Sequence, residues 1–343
     1  MDVGTFIHSD GAAPSTLSEI KRLNELVKTR DFLGLYAYAT QSGLASFELV
    51  MGSEFWEHTP TRWLFGFDYG RTQPQAVRSI AERQNTEVRI ADGAWIVDHE
   101  GFLPRRDYHP KVSFLLNAPD TRFGMVVGSG NFSSNGFRKS IEAGAVLYAN
   151  DQGQYIQSFE AAVATANALW DQATPLDGIL EAYEERWLDS FSRRGGEVGE
   201  IQPAAGESEI FWIEAGYVTQ NRGANRPGNQ IDFPRGMSKY FGFDPPADMP
   251  VNSVIGPITF RSPVGDLVTN NLRLGNNHME KVSLPIPETH GFEIYDGKVL
   301  VFRRLADRFE MSALEVADFE AAFGDRLSEV RTMASGRRYG HLT

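Results

Sequence analysis

Three consecutive strand-like segments, all within residues 108–148, constrain the fold of this chain more than any other part of its sequence. In the first segment, the two-residue period of a β-strand places His109, Lys111 and Ser113 on one face and Val112 and Phe114 on the other. We therefore predict a strand with one polar face and one core face.

The second and third segments carry polar residues at their ends as well. The apolar run from Phe123 to Val127 leads into Gly128-Ser129-Gly130-Asn131, in which the glycines let the backbone approach a ligand closely. The third segment, from Ile141 to Tyr148, begins with Glu142 and continues with mostly apolar residues. We expect the polar ends of the three strands to lie next to one another.

These polar residues have the chemical roles that cleavage of a phosphodiester needs, without a metal. A neutral imidazole of His109 would attack phosphorus to give a phosphohistidine, and a second imidazole would protonate the leaving oxygen. Lys111 and Asn131 would stabilise the charge on the phosphoryl oxygens. Glu142 would accept a hydrogen bond from His109 and fix its tautomer, and Ser129 would either do the same or bind the phosphate.

The second imidazole has no candidate in the same chain. Of the 7 histidines, His109 alone is followed by the x-Lys pattern. We therefore predict a symmetric homodimer, formed through the N-terminal domain, with one active site shared between the two subunits.

The order His-x-Lys, Gly-Ser-x-Asn and a downstream Glu resembles the phospholipase D superfamily. Five residues match the family pattern in order and spacing, and the resemblance implies that they are catalytic: His109, Lys111, Ser129, Asn131 and Glu142. The family also has an Asp about where Leu116 stands here. Its loss counts against a phospholipase more than against a nuclease, and the superfamily includes dimeric nucleases with a single motif.

Two arginines directly precede the motif. Arg105 and Arg106 would contact a second phosphate of the substrate backbone, or they are solvated loop residues; the sequence leaves both interpretations open.

Length, composition and charge limit the class of protein and its compartment. A chain of 343 residues with 41% hydrophobic content can supply two cores. It has no cysteine, which excludes disulfides and thiolate metal sites, and no His-x-x-x-His or Asp-rich loop indicates another metal, so we expect neither metal nor cofactor. Without a long apolar run or a signal-peptide pattern, we expect a cytoplasmic protein that does not bind membranes. The net charge of −12 argues against a non-specific nucleic-acid binder.

The pattern of elements changes along the chain. Residues 1–191 alternate strands and helices, which predicts an α/β domain with a mixed sheet flanked by helices. Residues 192–206 are rich in Gly, Pro and charge and are interpreted as a linker. Residues 207–343 contain many short strands and predict a mainly β pseudobarrel. Within it, Gly291–Tyr295 is expected to be a strand and Leu314–Arg331 an amphipathic helix.

The second half resembles the B3-like DNA-binding domain of restriction endonucleases in the BfiI and NgoFVII group, in which a nuclease domain of the phospholipase D fold precedes it. Four segments carry the likeness: Phe211-Trp212-Ile213-Glu214-Ala215-Gly216, Gly228-Asn229-Gln230-Ile231, Ser238-Lys239-Tyr240-Phe241-Gly242, and the run from Asn277 to Pro285. In that family two loops wrap into the major groove of DNA.

The matching segments here are Gln220–Gln230, which we call the N-arm, and Arg273–Lys281, which we call the C-arm. Both contain side chains able to hydrogen-bond base edges. The candidate DNA-binding residues are Gln220, Asn221, Arg222, Asn225 and Arg226 in the N-arm, and Arg273, Asn276, Asn277 and Lys281 in the C-arm. An ordinary pair of hairpin loops is the alternative interpretation.

The sequence therefore predicts a metal-independent, site-specific endonuclease that acts on double-stranded DNA. The chain has no Gly-x-x-x-x-Gly-Lys phosphate loop, and some relatives act with a helicase-like subunit, so a helicase or ATPase partner stays open. Two other classes also stay open: a lipid phosphodiesterase of the same fold, and a catalytically inactive DNA-binding regulator.

Overall fold

The computed structural model divides into two compact units, Met1–Ser190 and Phe191–Thr343. It describes residues 1–9, 14–192, 208–216, 218, 221–223, 226–246, 248–276, 279–333 and 337–343. Apart from Ser192, the segment interpreted as a linker lies outside these described residues.

The first unit is built on a mixed sheet that has eight strands in the described residues, in the order β1-β7-β6-β5-β2-β3-β4-β8. The neighbours β2 and β3, and β3 and β4, run parallel, and the other pairs are antiparallel. The strands are β1 (Asp2–His8), β2 (Asp31–Tyr36), β3 (Thr61–Gly66), β4 (Thr86–Ala91), β5 (Lys111–Asn117), β6 (Arg122–Gly128), β7 (Glu142–Ala149) and β8 (Thr174–Pro175).

Helices flank this sheet, as the alternating pattern predicted. They are α1 (Thr16–Val27), α2 (Gln41–Met51), α3 (Ser53–His58), α4 (Pro74–Ala81), α5 (Gly93–Asp98), α6 (Gln152–Ser158), α7 (Glu160–Gln172) and α8 (Leu180–Ser192). The apolar face of α1, with Leu17, Ile20, Leu23 and Val27, is buried, and Ser15 caps its first turn. The expected α/β architecture is confirmed for this unit.

Aromatic rings fill one side of the sheet. Trp63 lies within ring-contact distance of Phe32, Phe47 and Phe132, with centroids 4.8, 5.4 and 5.1 Å away. Gly34 is required beneath it, because a Cβ there would lie 2.6 Å from the Trp63 ring. On the opposite face, Leu33, Leu64 and other apolar side chains pack against α7.

The second unit contains a curled sheet of nine strands within the described ranges, in the order β10-β13-β12-β11-β15-β14-β9-β17-β16. The strands are β9 (Ile210–Glu214), β10 (Gln230–Phe233), β11 (Val254–Arg261), β12 (Leu267–Leu274), β13 (Glu280–Ser283), β14 (Val299–Arg304), β15 (Phe309–Leu314), β16 (Leu327–Thr332) and β17 (Arg338–Leu342). One helix, α9 (Val316–Phe323), is described in this unit. Its mainly β character is confirmed.

Strand β9, between β14 and β17, separates two cores. Phe211 and Ile213 belong to the larger core, which includes residues of the sheet and of the loops that connect its strands. Ile210 and Trp212 point to the other side, where the Trp212 ring meets Phe319 of α9 at a centroid distance of 4.9 Å. A strand buried on both faces reads as a continuous apolar run, as Ile210–Ile213 does.

Two predicted elements of this unit are wrong. The helix expected over Leu314–Arg331 exists only as α9, and the chain then turns at Gly324 and forms β16. Gly291–Tyr295 begins at the end of a turn and continues as irregular backbone rather than as a strand, with Gly291 and Glu293 both at positive φ. In both segments the apolar spacing is compatible with either structure, and the backbone at a few residues decides.

None of the helices in the described ranges is long and apolar enough to cross a membrane.

Candidate active site

The polar ends of three strands meet at one edge of the first sheet. Strand β6 lies between β5 and β7, and the antiparallel pairing brings the start of β5, the end of β6 and the start of β7 together. Lys111 opens β5, Gly128 closes β6 and Glu142 opens β7. The arrangement expected from the sequence is thus present.

His109 lies two residues before β5 and is exposed to solvent. The Lys111 ammonium donates a hydrogen bond to the His109 carbonyl over 2.8 Å, which folds the lysine back over the histidine backbone. Burial lowers the pKa of Lys111 from its usual value; the nearby Glu142 carboxylate partly offsets this shift, and Arg71 adds to it. The Lys111 ammonium and the Glu142 carboxylate therefore interact beside the exposed His109 imidazole.

The Glu142 carboxylate is engaged by Ser129. The Ser129 hydroxyl donates to Glu142 Oε2, and it accepts from the Ala143 backbone N–H over 3.1 Å. A third bond, from Ser129 N–H to the Ala143 carbonyl over 3.0 Å, holds the backbone of the same residue. The hydrogen bond expected between Glu142 and His109 is absent from the described residues, in which the carboxylate is bonded to Ser129 through Oε2 instead.

Asn131 lies in the loop that follows β6. Its side-chain Oδ1 is buried and has no hydrogen-bond partner among the residues the structure describes. The next residue, Phe132, forms a parallel bridge with Ala39, and its carbonyl accepts from Thr40 N–H over 3.0 Å. The loop is therefore held by the segment after β2 as well as by its own strand.

Close backbone contacts shape the rest of this loop. A Cβ at Gly130 would collide with the carbonyl oxygen of Gly136, so the two glycines lie directly against each other. The chain continues as a π-helix of 5 residues, Asn135–Lys139. π-Helical turns are rare in proteins, and those that do occur are often found at functional sites.

Ser113 does not lie on a polar face. It is completely buried, and its hydroxyl shares a 2.7 Å hydrogen bond with the hydroxyl of Tyr36. The side of the sheet that carries Ser113 is covered by aromatic residues such as Phe132 and Phe137, both within 6 Å of the Tyr36 ring. The predicted polar face of β5 is thus wrong beyond Lys111, because Tyr36 and the aromatic residues that follow β6 cover that side of the strand.

Two residues that the sequence reasoning missed lie behind the site. His8 pairs with Glu142 across β1 and β7, is 3% exposed, and approaches the Thr16 hydroxyl at 3.4 Å. Burial lowers the pKa of His8, and the Glu142 charge acts in the opposite direction. Asp68, which follows β3, accepts a hydrogen bond from the Tyr108 backbone N–H over 2.8 Å. Neither residue belongs to a recognisable motif, and only the tertiary structure brings them here.

The two arginines before the motif differ. The Arg105 guanidinium pairs with Asp92 and lies over the Trp95 ring, 5.1 Å from its centroid. Arg106 is exposed and makes no ion pair within the described ranges. Of the two, only Arg105 has a carboxylate partner within the described residues.

The predicted DNA-binding residues of the two arms also fall into exposed residues and residues with a local partner. Arg226, Arg273 and Asn276 are exposed. The two terminal nitrogens of Arg222 instead bind both carboxylate oxygens of Glu288 over 2.8 and 2.7 Å. Gln220, Asn225 and Asn277 lie outside the described residues.

Two further arm residues have local partners. Lys281 lies 3.5 Å from the Asp232 carboxylate on the paired strand, and Asn221 Oδ1 accepts from the Asn229 backbone N–H over 3.3 Å. Beside Lys281, the buried Glu280 accepts from Gly236 N–H over 2.8 Å and from the Ser238 hydroxyl over 2.9 Å. These bonds fix the end of the C-arm to the loop after β10.

No protein-family model matches the sequence, and no curated protein matches it. Among solved structures, the chain is similar to NucT from Helicobacter pylori, with a TM-score of 0.34 and 13% identity over 51% of this chain and 99% of NucT. It is similar in the same degree to Nuc of Salmonella typhimurium, described as a phospholipase D family member, with 13% identity over 51% of this chain and 97% of Nuc. The phosphatidylserine synthase of Haemophilus influenzae gives a TM-score of 0.34 and 15% identity over 56% of this chain and 45% of the synthase.

Proposed function

We propose that the chain is a metal-independent, site-specific DNA endonuclease with a catalytic centre of the phospholipase D type. The observation that supports this most directly is the meeting of an exposed imidazole, an ammonium and a Ser-Glu pair at one sheet edge: His109, Lys111, Ser129 and Glu142. Such a set holds a nucleophile, a cation for the phosphoryl oxygens and a fixed carboxylate.

In the proposed reaction a nitrogen of His109 attacks phosphorus and the P–O bond to the leaving strand breaks. Lys111 and the amide N–H of Asn131 bind the non-bridging oxygens, on which charge increases. A second imidazole gives its proton to the leaving oxygen. Water then attacks the phosphohistidine, the second imidazole takes a proton from that water, and His109 is released.

The second imidazole is supplied by His109 of the partner subunit in a symmetric dimer. A subunit-exchange experiment tests this assignment: wild type is mixed with an excess of His109→Ala subunits and activity is followed against composition. If both subunits must supply His109, activity falls with the square of the wild-type fraction. A linear fall, or a monomer by light scattering that still cuts, would remove the shared site.

The second unit is proposed to be a B3-like domain that reads the DNA sequence. Its exposed arm residues Arg226, Arg273 and Asn276 are free to meet base edges, and their side chains match guanine and adenine. Arg222 and Lys281 are better assigned to holding the arms, since each has a carboxylate partner.

Plasmid cleavage in EDTA tests the proposal as a whole. Wild type is expected to give discrete fragments, and His109→Ala intact plasmid with DNA binding retained. His58→Ala is the matched control, because His58 is an exposed histidine at the end of α3. Cleavage that survives His109→Ala would refute the mechanism.

The same assay separates the remaining alternatives. Intact DNA with a gel shift from the wild type would identify a DNA-binding regulator, and hydrolysis of phospholipid vesicles without DNA cleavage would identify a lipid phosphodiesterase. Cleavage that appears only with an added helicase or ATPase subunit and ATP would establish the proposed partner.

A further inference from the structure

Asp68 lies directly behind the backbone that carries His109. It follows β3 in a turn and is 6% exposed. Its Oδ2 accepts the backbone N–H of Tyr108, the residue immediately before His109, over 2.8 Å. The carboxylate is therefore fixed against this segment by one of its two oxygens.

The other oxygen is unpaired. Asp68 Oδ1 is buried and has no hydrogen-bond partner in the described part of the chain. The backbone makes room for it at Gly66, where a Cβ would lie 3.2 Å from Oδ1 and 2.7 Å from the Ala37 carbonyl. A buried carboxylate oxygen without a hydrogen-bond donor destabilises the folded state and is uncommon. Such an oxygen is explained if a donor reaches it during function.

His109 lies near enough to Asp68 to influence the pKa of that carboxyl. Burial raises the pKa of Asp68 above its usual value, while the Tyr108 N–H and the neighbouring His109 both lower it. The other candidate for a partner of His109, the Glu142 carboxylate, binds the Ser129 hydroxyl through Oε2 and makes no hydrogen bond to His109 within the described residues. The His109 ring itself makes no hydrogen bond among the described residues, and an attacking imidazole needs an acceptor that keeps the proton on its other nitrogen.

We propose that Asp68 is the positioning residue for His109: the free Oδ1 accepts the ring N–H and selects the tautomer whose other nitrogen faces phosphorus. Glu142 then has a separate role, holding Ser129 and balancing Lys111. This assignment rests on the proposed role of His109 as nucleophile. It places the orienting carboxylate on the turn after β3, far in sequence from the motif.

Asp68→Asn is the direct test, because an amide can still accept from Tyr108 N–H while its NH2 group cannot accept from the ring. Asp107→Asn is the matched control. Asp107 lies in the same loop as His109, is exposed and accepts a hydrogen bond from the Tyr69 hydroxyl over 2.8 Å. Hydrolysis of a chromogenic phosphodiester is measured for both. We expect Asp68→Asn to lower kcat by roughly 10²- to 10⁴-fold with little change in KM, and Asp107→Asn to resemble wild type.

A second readout does not depend on turnover. In protein labelled with ¹⁵N-histidine, the ring signals of His109 are identified by their absence in His109→Ala. Wild type should show one tautomer, and Asp68→Asn should lose that preference while its circular dichroism and Tm stay near those of wild type. An unchanged tautomer, or an unchanged kcat in an active enzyme, overturns the role of Asp68. If wild type cleaves no phosphodiester, the proposed function fails, whereas the tautomer still decides whether Asp68 orients the ring.

Discussion

The Ser129 hydroxyl donates to the Glu142 carboxylate across the gap between the end of β6 and the start of β7. Because Ala143 N–H donates to the same hydroxyl, the serine is fixed from two directions. The carboxylate held in this way lies near Lys111, where it partly offsets the lowering of the Lys111 pKa by burial. The motif residues thus act as pairs rather than as a single cluster around the histidine.

Ser129→Ala should lower kcat without unfolding the protein. The change releases the Glu142 carboxylate and removes the acceptor of Ala143 N–H, and we expect a loss of roughly 10- to 100-fold. Plasmid cleavage rates measure this. Ser140→Ala, at the end of the π-helix, should cleave at the wild-type rate. Full activity in Ser129→Ala would show that the Ser-Glu pair does not serve the reaction.

Gly130→Ala should distort the site loop. Its methyl group would collide with the Gly136 carbonyl, and overpacking of this kind costs about 1–3 kcal/mol in the free energy of unfolding. Thermal denaturation should show a lower Tm, and cleavage should be lost because Asn131 moves. Gly4→Ala is the control, since a Cβ at Gly4 has no heavy atom within 4 Å. Equal behaviour of the two variants would contradict the close packing described for the loop.

Arginines of the second unit should separate by function. Arg226→Ala and Arg273→Ala should weaken DNA binding by about 1–3 kcal/mol each and leave Tm unchanged, because both side chains are exposed. Arg222→Ala should lower Tm by roughly 2–4 °C, because Glu288 loses its bidentate partner. Fluorescence anisotropy and thermal melts distinguish the two groups, and a DNA-specific defect in Arg222→Ala alone would reverse the assignment.

Buried histidines should make the protein less stable in mild acid. Burial lowers the pKa of both His8 and His341 below the ordinary value of 6.5. The unfolded chain therefore binds protons first, so stability is full above 6.5 and is lost as pH falls from 6.5 to the lowered values. Each histidine adds a slope of at most about 1.4 kcal/mol per pH unit. Urea titrations of His8→Gln and His341→Gln should show shallower slopes than wild type, and the exposed-site variant His58→Gln should not.

Local pattern was enough to predict the strands of the site. Alternation and apolar runs indicated β5, β6 and β7, and the antiparallel pairing of these consecutive strands made neighbours of their polar ends. The placement of Lys111, Gly128 and Glu142 at one edge of the sheet follows from this local information.

Contacts between residues remote in sequence account for the features that local patterns did not predict. Ser113 is buried because Tyr36 lies against it from another strand, and Arg222 is occupied by Glu288 from a distant loop. Strand β1 was not anticipated, because most of its residues are exposed and give no apolar alternation. In each of these cases the partner is remote in sequence, so periodicity carries no signal of it.

The parallel bridge between Ala39 and Phe132 also has a consequence for how activity develops during folding. The loop that carries Asn131 takes its geometry only when the segment after β2 has closed onto it, and such distant closures are slow steps. A chain that is still incompletely folded contains every residue of the motif but no assembled centre. Assembly of the candidate site is therefore a property of the finished topology, and under the proposed function a cell that synthesises this protein is exposed to cleavage only once folding is complete.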